Sequence, residues 1–283
     1  MRIARITIDG LVGVAVKDGN EVRAVFDDPS LPDIDTAVQA GPAAISTLAA
    51  LCRTRGRVVE EKNLHFLPPL IRAPKIICVG LNYRDHAAET SFEVPTFPTL
   101  FGRFSSGLVG HGQPIIKPRV SDQFDFEGEM VAVIGKGGRE ISRADALDHV
   151  FAYSVFNDVS VRDFQMKTPQ WTVGKNFDGT GPFGPWLVTT DELPPGGSGL
   201  TIETRLNGQV VQKASTSDMV FSVVDLIELL SKFMTLEAGD ILVTGTPAGV
   251  GMSRNPPLYM RSGDVCEVEI EEIGLLSNYV VEQ

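Results

Sequence analysis

The sequence predicts an α+β protein that is rich in strands and has few helices. Its 283 residues include 28 glycines and 18 prolines, a density that favours short strands joined by turns over a helical bundle. Several segments alternate apolar and polar residues, and Asn207-Gly208 lies between two of them as a strong hairpin signal. Clear helical periodicity is confined to a few segments, of which 222–234 is the best.

The first 70 residues predict a small β-meander covered by one helix. Residues 43–55 have apolar side chains at helical spacing, with a proline suited to the first turn and a glycine suited to the end. The stiff, proline-rich segment 67–70 predicts a domain boundary. We therefore divide the chain into a small N-terminal domain, 1–70, and a larger catalytic domain, 71–283. The meander strands are predicted at residues 3–8, 11–16 and 21–26.

The larger domain is predicted to consist mainly of strands. Residues 142–150 predict a short helix with Ser142 as its N-cap, and 222–234 a longer one with a Ser222/Asp225 cap. Residues 82–90 are polar and predict a short helix or loop at the rim of the protein. The predicted strands are 76–80, 126–134, 151–157, 201–206, 209–214, about 240–244 and 264–271.

The composition excludes several classes of function. A net charge of -11 would repel a phosphate backbone, so we expect no nucleic-acid partner. The three cysteines are too far apart to form a CxxC pair, which favours a reducing cytoplasm. We also expect no signal peptide and no membrane span, because no stretch approaches the roughly 18 apolar residues that a spanning helix needs.

Three acidic residues at strand ends predict a metal site. Glu127 and Glu129 flank Gly128, so the period of a strand directs both carboxylates to one face. Asp158 ends a second apolar strand. A solvated strand face is the simpler explanation of two such acids alone, but the third acid favours a ligand set. Ligands that offer only oxygen select Mg²⁺, Mn²⁺ or Ca²⁺ over zinc, and of these we favour Mg²⁺ or Mn²⁺.

Other polar residues are candidates for catalysis or binding. His86 and Glu89 are three residues apart and share a face if they lie on a helix, where the Glu can orient the imidazole as a general base. Arg162 and Gln165 lie on a predicted short helix after Asp158. Lys175 lies between aromatic residues, a setting that favours pairing with a carboxylate. Each of these could equally be a surface residue.

A glycine-rich turn, 244–251, follows a predicted strand. Its backbone amides are candidates for binding an anion. The turn contains neither GxGxxG nor GK[ST], which weakens a nucleotide-binding interpretation.

Five segments together resemble the fumarylacetoacetate hydrolase family, and the likeness extends from about Lys75 to the C-terminus. The resemblance implies a mixed β-roll around a metal-bearing cleft, usually in a homodimer. The segments are GLNYRDHAAE (80–89), FEGEMVAVIGK (126–136), FNDVSVRDFQ (156–165), WTVGKNFD (171–178) and GDILVTGTPAGVG (239–251).

The same resemblance implies roles for individual residues. The implied metal ligands for Mg²⁺ or Mn²⁺ are Glu127, Glu129 and Asp158. The implied catalytic residues are His86 and Glu89, as a water-activating dyad, and Lys175, as a contact to substrate and transition state. The implied substrate contacts are Arg162, Gln165 and Thr246.

One segment departs from the family pattern. Where many acylpyruvate-cleaving relatives have Phe-x-Lys-Pro, this chain has Phe101-Gly102-Arg103-Phe104. Arginine offers a planar, bidentate fork, so we expect Arg103 to bind the distal group of the substrate and to change its preferred shape or polarity.

These roles favour metal-dependent hydrolysis of a carbon-carbon bond in a small 2,4-dioxo acid, giving pyruvate and a carboxylic acid. The enzyme class is a hydrolase acting on carbon-carbon bonds in ketonic substances. Suitable substrates are an acylpyruvate, fumarylpyruvate or a 2,4-diketo-3-deoxy sugar acid such as the rhamnonate derivative. Three alternatives stay open: an oxaloacetate decarboxylase, a tautomerase or isomerase of unsaturated diacids, and a non-catalytic dicarboxylate-binding protein.

Overall fold

The computed structural model describes residues 1–26, 28–85 and 96–283, and it has the strand-rich α+β architecture that the sequence predicts. The described helices are α1 (Ile34–Gln39), α2 (Pro42–Arg55), α3 (Arg162–Gln165), α4 (Thr172–Lys175) and α5 (Val223–Phe233). The described strands are β1 (Arg2–Ile8), β2 (Leu11–Asp18), β3 (Glu21–Phe26), β4 (Arg57–Val59), β5 (His65–Phe66), β6 (Ile76–Gly80), β7 (Thr99–Gly102), β8 (Leu108–Val109), β9 (Ile115–Lys117), β10 (Phe124–Asp125), β11 (Gly128–Ile134), β12 (Val150–Asn157), β13 (Ser160–Val161), β14 (Gly181–Thr189), β15 (Thr201–Leu206), β16 (Gln209–Ser215), β17 (Ile241–Val243), β18 (Val265–Ile270) and β19 (Gly274–Glu282).

Twelve of the described strands form one mixed sheet. Its main path runs β4-β3-β2-β1-β14-β12-β11-β17-β6-β7, and β5 and β8 pair with β1 and β14. Most neighbours are antiparallel, whereas β17 is parallel to β6. Strand β1 pairs with β14, with Arg2 opposite Val188 and Ile3 opposite Leu187, so the N-terminal meander continues the sheet of the larger segment. The division of the chain at residue 70 stays a prediction.

The predicted meander and its helix are confirmed. Strands β1, β2 and β3 pair in order, and α2 begins at Pro42 and ends before Gly56. The buried face of α2 includes Ile45 and Leu48, which belong to the same apolar cluster as Val14 and Val16 of β2. Helix α1 was not predicted from the sequence; it is short, and its N-cap Asp33 accepts a hydrogen bond from the Thr36 amide.

The centre of the large sheet is completely buried. Strand β11 is buried at every residue and pairs with β12, with Gly128 opposite Asn157. Its other neighbour, β17, places Val243 opposite Val131. Fully buried strands of this kind carry continuous apolar sequences, which explains why both were visible in the sequence.

A second sheet of five strands packs beside the first, in the order β16-β15-β18-β19-β9. The predicted hairpin is confirmed as β15 and β16, and its turn residues Asn207 and Gly208 both have positive φ, 52° and 78°. Such angles match the right-handed twist of the two strands. The predicted helix at 222–234 is also confirmed, because α5 has the Ser222/Asp225 capping box.

The predicted helix at 142–150 is wrong. The structure has only one 3-10 turn there, Ala146–His149. The Ser142 hydroxyl donates to the Asp145 carboxylate at 2.7 Å and accepts from the Asp145 amide at 3.3 Å, a local turn that competes with a longer helix. The predicted strand 126–134 is shorter than expected, because β11 begins at Gly128.

Candidate metal centre

The three predicted ligands lie together in the interior. Glu127, Glu129 and Asp158 each offer a carboxylate oxygen within 4.8 Å of the others, and all three residues are buried. They meet because Gly128 pairs with Asn157, which brings the start of β11 beside the end of β12. A Cβ atom at Gly128 would lie 2.1 Å from Thr204 Oγ1, so only glycine fits between the two glutamates.

Lys175 is a buried cation that contacts two of these carboxylates. Its Nζ lies 2.7 Å from Glu127 Oε2 and 2.7 Å from Asp158 Oδ2, and its side chain is 1% exposed. Burial lowers the pKa of Lys175, but Asp158 and Glu127 outweigh burial and raise the pKa above its ordinary value of 10.5. Lys175 is therefore a charged ammonium at neutral pH, held at the end of α4.

Arg103 also contacts a candidate ligand. Its guanidinium forms a buried ion pair with Asp158 Oδ1 and donates to Val159 O at 3.2 Å and to Thr180 Oγ1 at 2.9 Å. Asp158 is thus held between Arg103 on one oxygen and Lys175 on the other. The expected contact of Arg103 with a distal substrate group stays a prediction, and the structure adds a role in holding Asp158.

A second buried arginine supports Glu127. Arg162 Nε donates to Asp125 Oδ2 at 2.8 Å, and its Nη1 lies 2.7 Å from Glu127 Oε1 and 2.9 Å from Gln165 Oε1. Burial lowers the pKa of Arg162, while Asp125 and Glu127 raise it well above the ordinary value. Within the described part of the chain, the buried Arg162 Nη2 has no hydrogen-bond partner.

The glycine-rich turn binds carboxylates of the chain itself. The Gly245 amide donates to Glu129 Oε2 at 2.5 Å. The amides of Gly251 and Met252 donate to Asp125 at 2.7 and 3.0 Å. The predicted capacity of this turn to bind an anion is therefore used to hold two buried acids.

Thr246 lies in the same turn but its hydroxyl is engaged. It donates to Gly128 O at 2.9 Å and accepts from Gln212 Nε2 at 2.9 Å. These contacts tie the turn to β11 beside the glutamates. A substrate contact of Thr246 stays a prediction.

The charges and donor types of the centre fit a hard divalent cation. Four buried carboxylates, at Glu127, Glu129, Asp158 and Asp125, face three cations, Lys175, Arg103 and Arg162. Burial and the charges of Asp158 and Glu127 raise the pKa of Glu129 well above its ordinary value. Among the described residues, Glu129 accepts a hydrogen bond only from the Gly245 amide. A cation bound beside the four carboxylates would therefore relieve their excess of negative charge.

The predicted dyad, His86 and Glu89, lies outside the described residues, and its role stays a prediction. Two other histidines make hydrogen bonds with the backbone. His149 Nδ1 contacts Lys136 O at 2.7 Å, and His111 Nδ1 accepts the Ser277 amide at 3.1 Å.

Asp125 is a residue of the centre that was not predicted from the sequence. It lies two residues before Glu127, so the same period of two that relates Glu127 to Glu129 was the available signal. The contact between Arg103 and Asp158 had no such signal, because it depends on the folded sheet.

None of the helices in the described part of the chain is long and apolar enough to cross a membrane.

The fold and the centre define a strand-rich protein with a cluster of three buried carboxylates that could hold a metal ion. The family model described as "Fumarylacetoacetate (FAA) hydrolase C-terminal" matches residues 75–281. The chain therefore belongs to the fumarylacetoacetate hydrolase family, as the five sequence segments indicated.

Several relatives carry names that specify a reaction. The oxaloacetate tautomerase fahd2 of Xenopus laevis, named as mitochondrial, is 42% identical over 274 residues, which cover 95% of this chain and 86% of the relative. The oxaloacetate tautomerase YisK of Bacillus subtilis is 47% identical over 227 residues, which cover 78% of this chain and 74% of the relative.

Two solved structures share the fold along the whole chain. A fumarylacetoacetate hydrolase from Exiguobacterium antarcticum has a TM-score of 0.86 at 35% identity, with 100% of both chains covered. The maleylpyruvate hydrolase from Sphingobium sp. SYK-6, in complex with manganese(II) and pyruvate, has a TM-score of 0.80 at 28% identity, with 100% and 99% covered. The family thus includes both hydrolases and tautomerases, and the named relatives favour the isomerase alternative over carbon-carbon hydrolysis.

Proposed function

We propose that this chain is a divalent-metal-dependent enzyme that interconverts the enol and keto forms of oxaloacetate. The sequence alone favoured hydrolysis of a 2,4-dioxo acid. Both reactions need a stabilised enolate of a 2-oxo acid, so one centre suits either. The relatives named as oxaloacetate tautomerases support the isomerisation.

The observation that carries the proposal is the position of Lys175. Its ammonium lies 2.7 Å from two of the candidate ligands, in a buried setting where electrostatic interactions are stronger than in water. When the enol converts to the ketone, a proton leaves the C2 hydroxyl and another is added at C3. Between these two proton transfers, negative charge develops on the C2 oxygen, and a preorganised ammonium stabilises that charge.

We propose Mg²⁺ or Mn²⁺ as the metal, held by Glu127, Glu129 and Asp158. The donor set contains only carboxylates, which such hard ions prefer. When bound, the ion supplies positive charge that lowers the energy of an enolate oxygen. Arg103 and Arg162 hold two of these carboxylates in place through buried ion pairs.

Arg162 and Gln165 are the best candidates to bind a substrate carboxylate. The Nη2 of Arg162 has no partner among the described residues and needs an acceptor, because a buried polar group without a partner costs roughly 1–3 kcal/mol. A carboxylate oxygen of oxaloacetate meets that need. We assign the proton transfers to His86, oriented by Glu89, on the grounds of the family resemblance alone.

The test follows the ultraviolet absorbance of the enol after it is added to buffer with Mn²⁺. We expect the enzyme to accelerate its disappearance over the spontaneous rate, and a chelator to abolish the acceleration. Glu127→Gln should abolish the acceleration, as the chelator does. Glu203→Gln, in β15 of the five-stranded sheet, should accelerate the reaction as the wild type does. An enzyme that leaves the spontaneous rate unchanged would contradict the proposal.

Hydrolysis remains the second candidate, favoured by the similarity to the maleylpyruvate hydrolase. The same reactions are assayed for pyruvate, with a panel of 2,4-dioxo acids beside oxaloacetate. Pyruvate with a carboxylic acid product, without faster tautomerisation, would establish a hydrolase. Pyruvate with carbon dioxide from oxaloacetate would establish a decarboxylase.

We further propose a homodimer in the cytoplasm as the working form. The homodimer rests on the family resemblance. The location rests on the scattered cysteines, and the mitochondrial relatives make it worth testing by fractionation. Equilibrium sedimentation measures the oligomeric state.

A further inference from the structure

A single peptide group connects the side chain of Asn82 to the candidate ligand Glu129. The Asn82 amide donates to the carbonyl oxygen of Thr244 at 2.7 Å. The N–H of Gly245 belongs to the same peptide group and donates to Glu129 Oε2 at 2.5 Å. The peptide is planar, so a contact that fixes its carbonyl also fixes the direction of its N–H.

Asn82 is itself rigidly held. It is fully buried, and its amide also donates to Phe221 O at 3.0 Å while its oxygen accepts the Phe221 amide at 2.8 Å. The backbone oxygen of Asn82 accepts the Val220 amide at 2.7 Å. Both amide hydrogens and the side-chain oxygen therefore have partners, which leaves one orientation for the side chain.

Close packing keeps the peptide against Asn82. Gly245 has a φ of 99°, and a Cβ atom there would lie 2.7 Å from Asn82 Cβ and 2.9 Å from Val79 O. Glycine is thus required both by the backbone angle and by the contact. The hydroxyl and amide of Thr244 also bind Met130 O, at 2.9 and 3.0 Å, which fixes the other side of the turn to β11.

We propose that Asn82 is a positioning residue for the metal ligand Glu129, acting through the Thr244–Gly245 peptide. The hydrogen bond to the Thr244 carbonyl polarises the peptide and strengthens the N–H donor on its other side. That donor holds one carboxylate oxygen of Glu129 and leaves the other for the ion. The proposal rests on the metal centre of the proposed function.

The experiment measures Mn²⁺ affinity by calorimetry in the absence of substrate. Asn82→Ala removes the donor to Thr244, and we expect the dissociation constant to rise by about 10- to 100-fold, the usual effect of losing a partner of a ligand. Asn278→Ala is the matched control, because the buried Asn278 also donates to two backbone carbonyls, Gly110 O and Gln113 O, both at 2.8 Å. The control should lose thermal stability but keep the wild-type affinity for Mn²⁺.

The Mn²⁺ affinity of Asn82→Ser is measured as well, because this less drastic change remains informative if Asn82→Ala does not fold. Its hydroxyl leaves a polar group near Phe221 but ends short of the Thr244 carbonyl. Folded Asn82 variants that bind Mn²⁺ as tightly as the wild type would overturn the proposal, and so would an equal loss of affinity in Asn278→Ala. Failure of the wild type to bind Mn²⁺ would instead overturn the proposed function, since the metal centre itself would be wrong.

Discussion

Replacing Lys175 with methionine removes a buried cation that contacts both Glu127 and Asp158 at 2.7 Å. At an effective dielectric constant of about 20, each contact is worth about 6 kcal/mol of attraction. The cost of burying the charges offsets most of that attraction. Breaking a buried ion pair by removing one partner typically costs about 3–5 kcal/mol. We expect the metal-free variant to lose that much free energy of unfolding.

The raised pKa of Lys175 determines the pH range in which its contribution to the free energy of unfolding is present. A lysine with a raised pKa contributes its full stability below the unfolded pKa and loses the contribution only as the pH rises through the folded pKa. That loss lies above the ordinary value of 10.5, so the whole effect is present at pH 7. Urea unfolding at pH 7 in the presence of a chelator measures the free energy of unfolding that Lys175→Met loses.

The catalytic effect of the same change is expected to be larger than its effect on metal binding. Removing one preorganised donor to a developing oxyanion costs about 10²- to 10³-fold in kcat. Mn²⁺ binding should persist, because the three carboxylates remain and the lost ammonium repels a cation. Calorimetry and the enol assay measure the two quantities separately.

Lys117→Met is the matched control. Lys117 is also largely buried, but its partners Asp122, at 3.2 Å, and Glu282, at 4.0 Å, are exposed and lie outside the centre. We expect it to cost less than about 1 kcal/mol and to keep full activity. A Lys175→Met variant as stable and as active as Lys117→Met would refute the electrostatic argument.

Three further changes test other parts of the structure. Glu129→Gln should weaken Mn²⁺ binding by at least about 100-fold in calorimetry, more than the loss of a residue that only holds a ligand in place; wild-type affinity would remove Glu129 from the ligand set. Gly80→Ala should lower the free energy of unfolding by about 1–3 kcal/mol in urea titrations, because its Cβ would lie 2.2 Å from the ring of Trp171; unchanged stability would contradict that packing. The thiols of Cys52 and Cys266 should resist Ellman's reagent at pH 8 in the native protein and react after unfolding, since burial raises their pKa to about 11 and about 12; rapid modification of the native protein would contradict their burial.

Local signals explain which elements were predictable from the sequence. The β1–β3 meander, the hairpin at Asn207-Gly208 and the capped helix α5 each depend on residues close together in the chain. Short elements such as α1 and the edge strand β7 have too few residues for a periodic pattern, so neighbouring strands and helices decide them. The helix expected at 142–150 failed because the Ser142 cap stabilises an isolated turn as well as a helix.

The residues of the centre also differ in whether the sequence could predict them. The carboxylates were visible because two glutamates flank a glycine and an aspartate ends the next long strand. The partners of the carboxylates were not visible, because Arg103 reaches Asp158 only after β7 pairs with β6 in the sheet that also contains β12. Sequence spacing thus identified the acids, and tertiary structure determined which cations and amides hold them.

The pairing of β1 with β14 affects how the protein can be divided. Without the N-terminal segment, the backbone of Leu187 and Val188 would lose its partners on β1, and two apolar residues would border an open sheet edge. Such an edge is a template for joining another chain. A fragment limited to residues 75–281 is therefore expected to aggregate even though it contains every residue of the centre. The meander thus covers a sheet edge that would otherwise make the larger segment prone to aggregation.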